Sequence, residues 1–194
     1  AKQITLRLAA LGKRPEIIKA IFITHEHSDH IKGADMLARK LNIPVIATRR
    51  TADKCLLCSD AKLVNYIKNS ESVTIAGMQV TAFSKSHTCA DPVSYTIRKS
   101  GRAISVITDA GHACKNIVSA VADSDFLCIE SNYDEEMLDE GPYPEFLKDW
   151  IRSDGGHMSN SQAAQCVLKH ASDKLKHVML SHLSQTNNTP TLAL

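Results

Sequence analysis

The distribution of apolar residues over the first fifty positions predicts alternating strands and helices. Residues 17–24 form an apolar, β-branched run without polar alternation, which is typical of a strand buried on both faces. Residues 33–41 have helical spacing, and residues 43–48 form a second apolar run. This order predicts a βαβ unit, with the polar loop 25–30 outside the carboxyl end of the first strand.

Farther along the chain, the pattern changes to short strands joined by turns that contain glycine. Residues 72–75 and 78–84 flank an Ala-Gly turn, and residues 93–98 and 103–108 flank a turn with Gly101. Two such hairpins predict a mixed sheet. The other predicted elements are helices at 4–11, 114–121, 134–140, 144–152 and 159–170, and strands at 125–130 and 177–181.

Composition favours a single soluble domain over residues 1–194. Of these residues 43% are hydrophobic and 23% charged, and Gly (8) and Pro (6) are sparse, which excludes collagenous and largely disordered chains. Because no apolar stretch approaches the roughly 20 residues of a membrane span, and no signal-peptide core is seen, we expect a cytoplasmic protein without a membrane partner. The six scattered cysteines indicate reduced thiols. A net charge of +2 permits a phosphate substrate without demanding one.

Three histidines and an aspartate follow the first predicted strand. His25, His27, Asp29 and His30 form the pattern H-x-H-x-D-H. Neutral imidazoles suit zinc and similar divalent ions, and alternate residues of a loop can face two neighbouring ions. A solvated loop or a helix cap is the alternative, but three imidazoles beside a carboxylate have no packing rationale. The pattern therefore predicts a metal site.

The segment Thr24-His25-Glu26-His27-Ser28-Asp29-His30, followed by Gly33, resembles the signature of the metallo-β-lactamase superfamily. The resemblance implies an α/β fold, a four-layered αββα sandwich with mixed sheets, and a site for two metal ions bridged by Asp109. It implies that one ion is held by His25, His27 and His87. It implies that the other ion is held by Asp29, His30 and His182. His27 stands where the oxygen-reducing di-iron branch carries Glu, which favours hydrolysis over redox chemistry.

Motifs along nearly the whole chain are similar to the single-domain bacterial YycJ/WalJ-type branch of this superfamily. They are Ser86-His87-Thr88-Cys89-Ala90-Asp91-Pro92-Val93-Ser94-Tyr95, Thr108-Asp109-Ala110-Gly111, Glu130-Ser131-Asn132-Tyr133-Asp134, Gly156-His157-Met158-Ser159-Asn160 and His182-Leu183-Ser184-Gln185-Thr186-Asn187-Asn188-Thr189-Pro190. The branch is associated with nuclease activity, including exonuclease action from the 5′ end of DNA. One departure is His87-Thr88-Cys89-Ala90, where the family usually shows His-Asp-Ala.

The two ends of the chain depart from the superfamily pattern. The superfamily ordinarily begins with a strand pair that carries a metal-supporting aspartate, whereas this chain opens in a predicted helix. Residues 191–194 stop at the start of another helix. We therefore expect a fragment without the N-terminal strand pair and the C-terminal end, with a sheet edge unpaired or borrowed from another chain.

Beyond the ligands, the candidate catalytic residues are Asp29, Glu130 and His157. The candidate substrate-binding residues are Ser131, Asn132, His157, Ser159 and Asn160, because they follow a strand or open a helix whose N–H groups favour a phosphate. Alternatives stay open: Glu130 could hydrogen-bond a ligand histidine, Ser159 could be a helix N-cap, and His157 could be a loop or cap histidine.

Other side chains receive ordinary structural interpretations. Cys55 and Cys58 are interpreted as thiols in a helix, since a lone C-x-x-C is a weak zinc signal. Trp150 is interpreted as a core residue at helical spacing from Phe146 and Leu147. His112, His170 and His177 are interpreted as ordinary polar residues.

The sequence therefore predicts a metal-dependent hydrolase, a phosphodiesterase that acts on DNA or RNA. Its water would be activated by two divalent ions, with Zn, Mn or Fe as the candidates and Mg as a further option. One alternative is hydrolysis of small thioesters, lactones or other esters, because the same metal core serves all of these. The other is a non-catalytic fragment that binds metal or a partner protein.

Overall fold

The computed structural model describes residues 1–194, and the chain divides into two compact units. The first unit comprises Ala1–Ala82 and Cys89–Val93, and the second comprises Phe83–Thr88 and Ser94–Leu194. The single-domain organisation predicted for residues 1–194 stays a prediction.

The first unit begins with a helix and continues with short strands and helices. In chain order its elements are α1 (Lys2–Ala10), a 3-10 helix (Pro15–Ile17), β1 (Ile21–Phe22), α2 (Ser28–Ile31), α3 (Ala34–Leu41), β2 (Val45–Ala47), α4 (Arg49–Ala52), a 3-10 helix (Ala61–Leu63), β3 (Val64–Tyr66), β4 (Ser72–Ile75) and β5 (Met78–Ser84), whose last two residues, Phe83 and Ser84, belong to the second unit.

Strands β1, β2 and β3 form a parallel sheet in that order, which confirms the predicted βαβ unit. Val45 at its centre pairs with Ile21 on one side and Val64 on the other, and is fully buried. The predicted strand 17–24 is shorter than expected. Pro15 at the first position of a 3-10 helix sets a helical φ, so that the chain becomes extended only afterwards.

The first unit also contains elements that the sequence did not predict. Strand β3 and the short helix α4 were missed, and the helix expected around Cys55 and Cys58 is wrong. Helix α4 ends at Ala52, and the chain then turns so that Leu57 and Cys58 pack against the buried core without helical structure.

Both predicted hairpins are confirmed, and their turns explain why glycine is needed. In the turn between β4 and β5, Ala76 has φ 51° and Gly77 has φ 73°. Two consecutive left-handed residues define the two-residue turn that matches the twist of antiparallel strands. Ser100 and Gly101 have φ values of 50° and 75° in the second hairpin.

The second unit alternates strands and helices. Its elements are β6 (Val93–Lys99, with Val93 in the first unit), β7 (Arg102–Ile107), α5 (Lys115–Asp123), β8 (Phe126–Glu130), α6 (Glu135–Glu140), α7 (Glu145–Arg152), α8 (Asn160–His170), β9 (His177–Ser181) and α9 (Pro190–Ala193).

Strands β6 to β9 lie side by side in sequence order. Three of them, β7 to β9, are parallel, so their carboxyl ends lie at the same edge of the sheet. Strands β6 and β7 are antiparallel, whereas β7, β8 and β9 are mutually parallel, as the predicted mixed sheet requires. Ile107, Ile117, Leu127 and Ile129 are fully buried in its core. Because parallel strands end at the same edge, residues after β7, β8 and β9 come together there.

None of the helices is long and apolar enough to cross a membrane.

Candidate metal centre

The residues of the first unit that the sequence singled out lie between β1 and α3, in a loop that continues into the short helix α2. We call residues 24–30 the histidine loop. The His25 ring is fully buried, and its Nε2 lies 3.0 Å from Nδ1 of His27. Thr24 Oγ1 lies 2.9 Å from the other ring nitrogen of His25 and 3.3 Å from Nδ1 of His30. The structure thus brings the three predicted imidazoles together.

The carboxylates of the histidine loop differ in their surroundings. Asp29 is exposed, and its Oδ2 lies 3.3 Å from Nε2 of His30. Glu26 turns the other way and accepts a hydrogen bond of 2.7 Å from the backbone N–H of Ala90. Asp29 therefore lies next to the His30 imidazole, whereas Glu26 stabilises the backbone at Ala90.

In the second unit, four residues form what we call the strand-end cluster: Asp109, Glu130, His157 and His182. One donor atom from each lies within 4.8 Å of the others. Asp109 follows β7, Glu130 ends β8 and His182 follows β9, while His157 precedes α8. The parallel sheet, rather than proximity along the chain, assembles these side chains.

Two of these residues have a strained backbone. Asp109 has φ 54° and His182 has φ 56°, in the left-handed region that residues with a Cβ rarely adopt. Such a conformation costs about 1–3 kcal/mol and persists where the surrounding structure enforces it. Here it turns both side chains toward one another directly after their strands, with His182 Nε2 3.5 Å from Asp109 Oδ1.

Glu130 is the buried centre of the strand-end cluster. Its Oε1 accepts hydrogen bonds of 2.8 Å from Nδ1 of His157 and Nδ1 of His182. Its Oε2 accepts from the backbone N–H groups of Ala110, at 2.8 Å, and Met158, at 3.2 Å. Burial raises the pKa of Glu130, but the two imidazole hydrogen bonds lower it, and the pKa lies below its ordinary value. Glu130 is therefore an ionised acceptor that fixes two rings.

His87 is a further buried ring of the second unit. Its Nδ1 donates to the carbonyl oxygen of Gly156 at 3.0 Å, which leaves Nε2 as the nitrogen with a lone pair. Burial lowers the pKa of His87 to about 4, so that the ring is neutral at pH 7. A Cβ at position 156 would lie 2.2 Å from the carbonyl oxygen of Ile151, so glycine is required for this close approach.

The donors of both groups fit a divalent metal ion. Two nitrogen ligands bound tetrahedrally to zinc lie about 3.3 Å apart, because each metal–nitrogen bond is about 2.0–2.1 Å long. The 3.0 Å between His25 Nε2 and His27 Nδ1 and the 3.5 Å between His182 Nε2 and Asp109 Oδ1 are close to this spacing. A carboxylate that accepts from the far nitrogen of His182, as Glu130 does, is a typical partner of metal-bound imidazole.

Two predicted substrate-binding residues have internal hydrogen-bond partners. Ser131 is fully buried and donates to Asn160 Oδ1 at 2.5 Å. Ser159 is also buried, caps α8 by accepting from the N–H of Gln162, and donates to Glu135 Oε1. The N-cap alternative for Ser159 is confirmed, and substrate binding by Ser131 and Ser159 stays a prediction.

The two predicted asparagines belong to a polar network around the end of β8. The amide of Asn132 donates to the carbonyl oxygen of His182 at 2.9 Å. The amide of Asn188 donates to Asn160 Oδ1, at 2.8 Å, and to the carbonyl oxygens of Ser131 and Asn132. Substrate binding by Asn132 and Asn160 stays a prediction, and their internal contacts support the loops that carry the strand-end cluster.

One side chain near this cluster was misinterpreted from the sequence. Trp150 is 36% exposed, and its ring centroid lies 5.6 Å from that of His157, so the core interpretation is wrong. Helix α7 buries Ile151 and packs Leu147 against Tyr133 and Leu138. The offset of Trp150 from that apolar stripe is the sequence signal that could have placed it at the surface.

Comparison with known protein families identifies the class. The family model described as "Beta-lactamase superfamily domain" matches residues 2–183. The chain belongs to this superfamily. The metallo-β-lactamase fold protein YhfI from Bacillus subtilis superposes with a TM-score of 0.69 at 16% identity, over 92% of this chain and 69% of that chain. The α/β fold implied by the sequence resemblance is thereby confirmed.

Two curated relatives indicate which branch of the superfamily this chain is similar to. An exodeoxyribonuclease WalJ of Streptococcus pneumoniae is 34% identical over 99% of this chain and 73% of its own length. An exodeoxyribonuclease YycJ of Bacillus anthracis is 35% identical over 95% of this chain and 72% of its own length. The resemblance to the YycJ/WalJ-type branch is therefore confirmed.

Proposed function

We propose that this protein is a metal-dependent nuclease that hydrolyses phosphodiester bonds at the ends of DNA or RNA. The observation that carries the proposal is the strand-end cluster, in which Asp109 and His182 keep a strained backbone and Glu130 fixes two imidazoles. Strain of this kind is concentrated at functional sites. The exodeoxyribonuclease names of the relatives support a nucleic-acid substrate.

The assignment of seven residues to two divalent ions, with Zn, Mn, Fe or Mg as candidates, is part of this proposal. The ligands are those the resemblance implies: His25, His27, Asp29, His30, His87, Asp109 and His182. Divalent ions, when bound, supply Lewis-acid activation of water and of the phosphate. The chemistry of the donors supports the assignment, because His87 is a neutral imidazole and Asp109 and His182 point toward each other.

The protein's own groups would then orient the substrate and move protons. Glu130 accepts from Nδ1 of His157, so Nε2 of His157 is the ring atom available to exchange a proton with a leaving oxygen. The His157 side chain is 13% exposed, which places it at the solvent boundary of the strand-end cluster. Glu130 is fully buried and acts as a positioning residue through the rings it holds.

Digestion of 5′-phosphorylated DNA with manganese, magnesium or zinc tests the proposal. Asp109→Ala and His182→Ala should each lower the rate at least about 100-fold, the upper end of the loss when a residue supporting a metal ligand is removed. The matched controls Asp173→Ala and His177→Ala remove the same side-chain types from exposed positions and should digest like wild type.

Three further outcomes decide the proposal. Equal digestion by the wild type and both cluster variants would show that the residue assignment is wrong. A folded wild type that digests neither DNA nor RNA with any of these metals would overturn the nuclease proposal. Hydrolysis of a nucleic acid should also slow steeply as salt is added, whereas hydrolysis of a small ester should not.

A further inference from the structure

Helix α7 exposes two aromatic side chains that the fold does not use. Phe146 is 75% exposed and Trp150 is 36% exposed, whereas Ile151 on the same helix is buried. Residues four apart are neighbours on one helix face, so Phe146 and Trp150 lie on the same face of α7. We call this pair the α7 aromatic surface.

The indole lies next to the imidazoles of the second unit. Its ring centroid is 5.6 Å from that of His157, in an edge-on arrangement with an interplanar angle of 81°, and 6.3 Å from that of His87. The His157 ring is in turn 5.5 Å from the ring of His182. Trp150 therefore lies directly beside the strand-end cluster.

The spacing of the α7 aromatic surface suits an unstacked strand. Four residues of helix advance by about 6 Å, because each adds about 1.5 Å. Bases in one strand of a duplex are about 3.4 Å apart, so a strand that contacts both rings must have its bases spread. Aromatic side chains at such positions bind single strands by stacking on the base faces, which every base offers.

The charges on α7 are balanced. Glu145 and Asp149 are exposed, but each pairs with a basic residue three positions further along the helix, Lys148 at 3.1 Å and Arg152 at 3.7 Å. The helix therefore presents no excess of positive charge to a phosphate, and its exposed aromatic rings are the groups suited to the neutral bases.

We propose that Trp150 stacks on the nucleobase next to the phosphodiester presented to the strand-end cluster, and that Phe146 stacks on the following base. This inference rests on the proposed function and specifies its substrate as the unpaired end of a nucleic acid. A nucleotide reaches from its phosphate to its base across one sugar, which fits an indole that touches His157.

Trp150 is the sole tryptophan in the sequence, so its fluorescence reports on this position alone. The probe is a short single-stranded, 5′-phosphorylated oligonucleotide with phosphorothioate linkages that resist cleavage. A second probe is identical but lacks the bases of its two terminal nucleotides. Stacking should quench the indole fluorescence with the first probe and leave it nearly unchanged with the abasic probe.

Substitutions separate stacking from a structural effect. Trp150→Ala should weaken binding of the intact probe roughly 10-fold and leave binding of the abasic probe within about 2-fold. Trp150→Phe should retain most of the affinity, and Phe146→Ala should cause a smaller loss than Trp150→Ala. The control Leu168→Ala removes an exposed apolar side chain from α8 and should bind both probes like wild type.

Equal weakening of both probes by Trp150→Ala, or no weakening of either, would overturn the stacking inference. If the wild type still digests DNA in that case, the proposed function stands and only the role of Trp150 is lost. If the folded wild type neither binds these probes nor digests DNA or RNA, the proposed function fails and the inference fails with it.

Discussion

The histidine loop and the strand-end cluster present similar side chains, but they are built in different ways. In the histidine loop, the imidazoles come from neighbouring residues, contact one another directly and include no left-handed backbone position. In the strand-end cluster, three of the four residues come from the ends of three strands and His157 precedes α8. Two of the four have left-handed backbone, and one buried carboxylate accepts hydrogen bonds from two rings.

This difference predicts different responses to mutation. Asp29 in the histidine loop has a side chain that is 65% exposed, so solvent can replace the contacts it loses. The Glu130 carboxylate accepts hydrogen bonds from two imidazoles and two backbone N–H groups, and it is buried from solvent. Loss of Glu130 should therefore lower the folding stability of the metal-free protein much more than loss of Asp29.

The largest expected effect is that of Glu130→Ala on stability. It leaves several buried donors without their acceptor, which should lower the free energy of unfolding by about 3–5 kcal/mol. Asp29→Ala should change it by less than about 0.5 kcal/mol, as is usual at an exposed site. Urea denaturation of the metal-free proteins measures both. Similar losses for the two variants would contradict the contrast between the two regions.

An intermediate effect concerns pH and the buried ring of His87. Burial lowers the pKa of His87 from an ordinary 6.5 to about 4 in the folded protein. As the pH falls below 6.5, the His87 ring is protonated in the unfolded chain before it is protonated in the folded protein. The contribution of His87 to the free energy of unfolding should therefore decline until about pH 4 and stay constant below that pH. The full loss is at most about 3.4 kcal/mol, since one pKa unit corresponds to about 1.4 kcal/mol.

His87→Gln removes this titration, so its free energy of unfolding should fall less between pH 6.5 and pH 4 than that of the wild type. Leu168→Ala, which removes an exposed side chain without a titratable group, is the comparison and should keep the wild-type slope over this range. Denaturation of metal-free protein at a series of pH values makes the measurement. An unchanged slope in His87→Gln would show that the buried ring is not the cause.

The smallest expected effect is that of Ser159→Ala, which removes the cap of α8. Loss of the capping box should lower the free energy of unfolding by about 1 kcal/mol. Ser161→Ala, at an exposed position of the same helix, should lie within about 0.5 kcal/mol of wild type. A loss of DNA affinity without a loss of stability in Ser159→Ala would contradict the capping role and support the predicted substrate-binding role.

The sequence predicted most elements and the histidine loop for reasons that are local, whereas Asp109 and His182 were predicted from the family resemblance. The helices, the hairpin turns and the spacing of His25, His27 and His30 depend on neighbouring residues, so a linear pattern reveals them. Strand β3 was missed because a strand of three residues is too short to show a recognisable pattern of apolar and polar positions. The helix expected around Cys55 failed because burial of Leu57 and Cys58, rather than helix propensity, decides that backbone.

The roles within the strand-end cluster could not be predicted, because they depend on which groups meet in space. The sequence left Glu130 as either a structural or a catalytic carboxylate, and only its four hydrogen-bond partners favour positioning. Trp150 was misinterpreted because helical spacing alone does not show which side of α7 faces the core.

The network of Asn188 affects how shortened versions of this protein should be designed. Its amide closes the loop after β8 against the start of α8, although it lies beyond every predicted metal ligand. A version ending between Ser184 and Asn187 would keep all seven of those ligands and still lose this brace. Weak activity in such a truncation would then report a loosened scaffold, so expression boundaries are better placed beyond Asn188.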